Sequence, residues 1–132
     1  DPNAKAVQFA RKAGLVAFVP EEFRRWESAR PESFDSLLFA HVLEHMRSNA
    51  AVRLVREHLP YLAHGGRVVI ITPQERGFAS DETHVEFMDF AQIERILCES
   101  GLEPLRSFSF PLPRPFGRIF THNEFVGIGR LP

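Results

Sequence analysis

The chain reads as an α/β three-layer sandwich, on three observations. Residues 67–72 contain an unbroken Val and Ile run, the mark of a strand covered on both faces, as parallel strands under helices are. Helical apolar spacing appears on both sides of that strand, in Val52, Val55, Leu59 and Leu62 before it and around Ile93 after it. Strand-like and helix-like segments alternate along the chain and end in two strand-like runs joined by a proline-rich loop.

Taken in order, Asn3 can cap a helix over residues 4–13 in which Ala6, Phe9, Ala10 and Ala13 share a face, and Gly14 supplies its left-handed stop. Residues 15–19 are apolar and partly β-branched, which predicts a short strand. Pro20 suits the first turn of a short helix with Phe23 and Trp26 on one face, ended by Arg30 and Pro31. A buried strand follows at 34–40. Ser48 or Asn49 can cap the next helix, and Pro60 forces a kink or a fresh turn near its end. Gly65 and Gly66 then reverse the chain. Asp89 with Gln92 resembles a capping box, Met88 can staple to Ile93, and Gly101 ends that helix with Leu102 folding back. Residues 102–110 and 124–130 predict an antiparallel pair at one edge of the sheet. In such an architecture ligands bind at the carboxyl ends of the parallel strands.

Composition narrows the partners. The 132 residues, 44% of them hydrophobic, suit a single domain spanning 1–132. A net charge of -1 offers no global positive field for nucleic acid or an anionic membrane surface. Aliphatic runs such as 68–71 fall far short of the roughly twenty residues of a membrane helix. The single cysteine, Cys98, excludes an internal disulfide and a cysteine-rich zinc site and suits a reducing cytoplasm. Its neighbours Ile93, Ile96 and Leu97 place it in the core on this reading. No metal is expected.

Three local sequences, FDSLLFAHVLEHM at 34–46, HGGRVVIITP at 64–73 and FTHNEFVGIGR at 120–130, give the chain a resemblance to a known family. It resembles the class I, Rossmann-like S-adenosylmethionine-dependent methyltransferases, of the type that includes the ubiquinone and menaquinone biosynthesis enzymes. The resemblance implies a mostly parallel sheet with a C-terminal antiparallel hairpin, S-adenosyl-L-methionine as cofactor and a small molecule as methyl acceptor. By the same resemblance Asp1 receives the ribose hydroxyls, a task suited to a carboxylate that accepts two protons at once. Pro20, Glu21 and Glu22 fall on the turn that faces the adenine, and Ala40, His41 and Val42 on the loop that touches the methionine part. His41 is the first candidate for a base that takes the acceptor's proton, and His84 the second. His84 and the loop 111–122 match segments that lie over the substrate in such enzymes, and the aromatic side chains Phe110, Phe116 and Phe120 suit an apolar or planar substrate.

One departure stands against these matches, because the sequence contains no GxGxG stretch to bring backbone amides against the cofactor. The resemblance covers the C-terminal two-thirds of a standard domain, so the fold is expected to be incomplete at its N-terminus. Either the chain is a piece of a longer protein, or a second copy fills the gap as a homodimer through exposed strand edges. Two other readings remain. A truncated or degenerate fold can serve as a non-catalytic module, and HVLEH matches the H-x-x-E-H string of inverted zinc peptidases. The peptidase needs both histidines on one helical face, whereas His41 directly follows a strand.

Overall fold

The computed structural model describes residues 1–132. Four strands form one sheet in the order β1-β2-β4-β3, with β1 at Phe34–Ala40, β2 at Leu62–Pro73, β3 at Glu103–Phe110 and β4 at Glu124–Arg130. The one parallel pair is β1 with β2, and β4 runs antiparallel to both β2 and β3. The sheet is therefore mixed rather than mostly parallel, while the α/β class and the closing antiparallel pair stand as expected. Gly65 and Gly66 lie inside β2 rather than in a reversing turn. Phe34 faces Leu62 but Ser36 faces Arg67, so the extra residues of β2 bulge out between those pairs.

Five helices accompany the sheet: α1 at Ala4–Lys12, α2 at Pro20–Phe23, α3 at Ser48–His58, α4 at Glu75–Phe78 and α5 at Phe90–Glu99. Asn3 caps α1 as expected, its side chain accepting from the amides of Lys5 and Ala6. Asp89 caps α5 through the Gln92 amide, and Gly101 follows that helix with φ of 86°. A 3-10 turn at Leu59–Tyr61, with Pro60 inside it, ends α3. The helix α3 starts with Arg47 in the capping position, and its first amide, that of Ser48, is satisfied from outside by the Glu86 carboxylate at 2.9 Å.

The core lies between one sheet face and the pair α3 and α5. Val68 and Ile70 of β2, Phe125 of β4, Val55 of α3 and Ile93 and Ile96 of α5 are all fully buried. Glycine lets α5 approach β4: a methyl group at Gly129 would stand 2.9 Å from Leu97 Cδ2. On the opposite face Val69 and Ile71 are half-buried, so cover there is partial.

Several expectations fail for identifiable reasons. Residues 15–19 form no strand, and Leu15 and Val16 are 63% and 74% exposed, because no strand lies alongside for them to pair with. In α1 the inward side chain is Val7, while Phe9 points to solvent. Cys98 is exposed. Ile93, Ile96 and Leu97 share the inner face at spacings of three and four, which turns the next residue about 100° away. No helix is long and apolar enough to cross a membrane.

Candidate functional site at the carboxyl end of β1

The parallel strands β1 and β2 end side by side, and β4 begins there. At this point β1 gives way to His41, whose φ of 53° is rare for a residue with a side chain. The turn is fixed by the His41 amide, which donates to the Ile71 carbonyl at 3.0 Å. It is followed by the 3-10 turn Leu43–His45. Two cavities flank the strand end.

The larger, of about 820 Å³, is apolar and runs along the outer edge of β1. Leu37, Leu38 and Phe39 form its floor, Val42 and Met46 one end, and Asp1, Pro20 and Phe23 its far wall. No strand pairs with β1 on this side. The far wall belongs to an aromatic cluster in which Phe23 stands 5.2 Å from Tyr61 and Phe18 stands 4.9 Å from Trp26 between ring centres.

The smaller cavity, of about 250 Å³, is rich in polar side chains: His41, His45, Ser80, Asp81, His84, Thr121 and His122 line it, with Pro73 and Gly77. The two alternative candidates for the base, His41 and His84, both line this cavity. His41 Nε2 lies 2.6 Å from Glu124 Oε1. A carboxylate can only accept, so this bond puts a ring proton on Nε2, and in the neutral ring the lone pair is then on Nδ1. His84 Nδ1 lies 2.8 Å from the Phe78 carbonyl, which by the same reasoning leaves its Nε2 bare. The Asp81 carboxyl is held below its ordinary value by hydrogen bonds from the Thr83 hydroxyl and amide.

The ligand-binding residues expected from the sequence divide between the cavities. Asp1, Pro20 and Val42 line the apolar one. Ala40 lies half-buried in the last position of β1, between them. Glu22 is engaged elsewhere, 2.6 Å from Arg11 Nη2, and that guanidinium holds its carboxyl below the ordinary value. Glu21 is exposed and forms no ion pair. Phe110, Phe116 and Phe120 are exposed and line neither cavity.

Four glutamate and glutamine residues shape the site in ways that residue type alone does not show. Glu124 orients His41, and Glu86 ties the 83–86 segment to α3 through both the amide and hydroxyl of Ser48. Gln74, fully buried, donates to Ser109 and to the Glu124 carbonyl and accepts from Asn123, holding the start of β4 in place. Glu44 is fully buried, neither carboxylate oxygen has a hydrogen-bond partner, and it pairs with no arginine. His41 Nδ1 stands 3.3 Å from Glu44 Oε1 but without hydrogen-bond alignment, so the two observations agree. The one available signal was an acidic residue inside an apolar stretch, Val42-Leu43-Glu44.

No protein-family model matches the chain, and no curated protein matches it. Solved structures do. A S-adenosylmethionine-dependent methyltransferase from Archaeoglobus fulgidus is similar over 98% of this chain and 73% of its own, with a TM-score of 0.73 at 13% identity. One from Methanosarcina mazei is similar over 99% and 79%, with a TM-score of 0.68 at 15% identity. The 1,6-didemethyltoxoflavin-N1-methyltransferase of Burkholderia thailandensis, which was solved with 1,6-didemethyltoxoflavin and S-adenosylhomocysteine bound, is similar over 97% and 56%, with a TM-score of 0.60 at 19% identity. The chain has the Rossmann-like fold of class I methyltransferases.

Proposed function

We propose that this chain carries the acceptor side and part of the cofactor side of a S-adenosylmethionine-dependent methyltransferase acting on a small molecule. The observation behind the reading is the meeting of an apolar and a polar cavity at His41 and Val42, on the strand end where this fold binds ligands. A volume of about 820 Å³ is within the range of small-molecule sites. Asp1 at its rim suits ribose hydroxyls, Pro20 with the free Glu21 suits the adenine edge, and 40–42 suits the methionine part. The 132 residues contain no GxGxG stretch, so the cofactor contacts on this reading are those of Asp1, Pro20, Glu21 and residues 40–42.

S-adenosylmethionine brings a sulfonium methyl group, which passes to a nucleophile by in-line displacement while sulfur keeps the electron pair of the broken bond. The protein's task is alignment at about 3 Å and removal of one proton. His41 Nδ1 is the proton acceptor, because Glu124 holds the opposite nitrogen protonated and supports the imidazolium that results. His84 presents a second bare nitrogen to the same cavity.

Calorimetric titration with S-adenosylhomocysteine tests the reading. Micromolar binding is expected, weakened by Asp1→Ala. Binding that appears only when the chain is lengthened at its amino end assigns the amide cradle to the added segment. Absence of binding in both forms overturns the proposal in favour of a non-catalytic module, the reading that the missing GxGxG stretch favours.

A further inference from the structure

We infer that Glu44, His45 and His84 form a binding site for one divalent first-row transition ion such as Zn²⁺. The site stands whether or not the chain transfers methyl groups. One donor atom from each residue falls within 4.8 Å of the other two. Bonds of about 2.1 Å to a tetrahedral ion place donors roughly 3.4 Å apart, so closing the cluster takes only side-chain adjustment.

The strongest observation is Glu44 itself, a carboxylate fully buried with both oxygens lacking a hydrogen-bond partner. A carboxyl buried in that state is stabilised by a proton or by a cation, and the two imidazoles beside it supply the remaining donors for a cation. Around it, each histidine is oriented as metal-bound histidines are. His84 donates Nδ1–H to the Phe78 carbonyl at 2.8 Å, and its side chain, only 8% exposed, stacks on the Phe78 ring at 5.1 Å. His45 Nδ1 faces the Thr83 carbonyl at 3.3 Å. In the neutral rings Nδ1–H points to these oxygens, the Thr83 hydroxyl at 3.2 Å included, and the lone pair is on Nε2.

Remote parts of the sequence are fastened here by backbone. The amides of Val85 and Glu86 donate to the Glu44 carbonyl at 2.7 and 3.2 Å, which sets His84 against the 44–45 turn without help from an ion. Asp81 Oδ2, 3.8 Å from His84 Nε2, adds negative charge at the mouth. The arrangement differs from the peptidase pattern in HVLEH. His41 turns to Glu124, and the second histidine comes from 39 residues beyond His45 (84 − 45).

Two neutral imidazoles and one carboxylate suit Zn²⁺, Mn²⁺ or Fe²⁺ rather than Mg²⁺ or Ca²⁺. Three protein donors leave a coordination position open toward the 250 Å³ cavity.

The experiment is titration of chelator-stripped protein with ZnCl₂ by calorimetry, repeated with MgCl₂. One equivalent of Zn²⁺ is expected at micromolar or tighter affinity, with no heat from Mg²⁺. His45→Ala, at an exposed position, should weaken Zn²⁺ at least tenfold with little change in melting temperature, and Glu44→Gln should weaken it likewise. His64→Ala, at a surface histidine that contacts Glu32 and the Pro132 carbonyl, should leave affinity unchanged. Equal affinity in wild type and His45→Ala overturns the site, as does equal loss in His64→Ala. Glu44→Gln adds a second reading: stripped protein should melt no lower than wild type while losing Zn²⁺. A melting point that falls with Zn²⁺ affinity intact would make Glu44 structural only. Adding S-adenosylhomocysteine to the same stripped sample separates the two proposals, since it binds or fails to bind independently of zinc.

Discussion

The two cavities at the end of β1 are built on opposite plans. The polar one is held by hydrogen bonds that converge from four segments: the strand end at 41, the 44–45 turn, the 81–86 segment and the start of β4. The apolar one is a space beside a strand whose outer backbone groups have no partner, closed on its far side by half-buried aromatic rings. In the first the bonds run between the lining side chains and segments remote in sequence, whereas the far wall of the second is tied by bonds within the first 22 residues, such as that of the Asp1 amine to the Phe18 carbonyl, and its aromatic rings meet the rest of the protein by contact. Ligand chemistry that demands fixed distances belongs in the first, and a ligand that fills volume belongs in the second.

The contrast can be broken at its packing. Phe125 is fully buried next to Glu124 and stacks edge-on against Phe90 at 4.7 Å, so Phe125→Ala should cost about 3 to 5 kcal/mol in urea denaturation. Trp26→Ala, in the aromatic wall of the other cavity, should cost less than half of that, because Trp26 is only half-buried. Equal costs would show that the apolar wall is as well packed as the core.

A smaller effect sharpens the comparison. Glu86→Ala removes the cap of α3 and should cost about 1 kcal/mol. The same carboxyl is held below its ordinary value by the Ser48 hydroxyl and amide. Its folded pKa lies below the unfolded one, so its contribution is complete above the unfolded value of 4.5 and is lost as pH falls through the folded value. Wild type should therefore lose more stability than Glu86→Gln between neutral pH and acid, measured by thermal melts across that range. Smallest of all, Cys98→Ser should stay within about 0.5 kcal/mol of wild type, and the native thiol should react promptly with a maleimide reagent.

Legibility in the sequence followed how local the cause was. The strand 34–40, the caps Asn3 and Asp89 and the turn at Pro60 depend on neighbouring residues, and all are where the sequence places them. The strand expected at 15–19 depends on a partner, and its composition says nothing about whether one is beside it. Cys98 was misplaced by reading composition where helical phase decides. For the site, His41 and His84 could be named from residue type, but their shared cavity arises from backbone bonds between residues 44 and 85–86. Glu44, Glu86 and Glu124 look alike as letters and differ only in what surrounds them.

His41 carries a consequence for any attempt to make the protein more robust. Its left-handed backbone costs a side-chain-bearing residue about 1 kcal/mol or more, and its half-exposed imidazole regains little through the bond to Glu124. Glycine at that position would relax the chain and remove the ring. Selection for heat resistance alone would thus favour loss of the histidine, and a library screened on melting temperature would dismantle the polar cavity at this residue first while leaving the sheet intact.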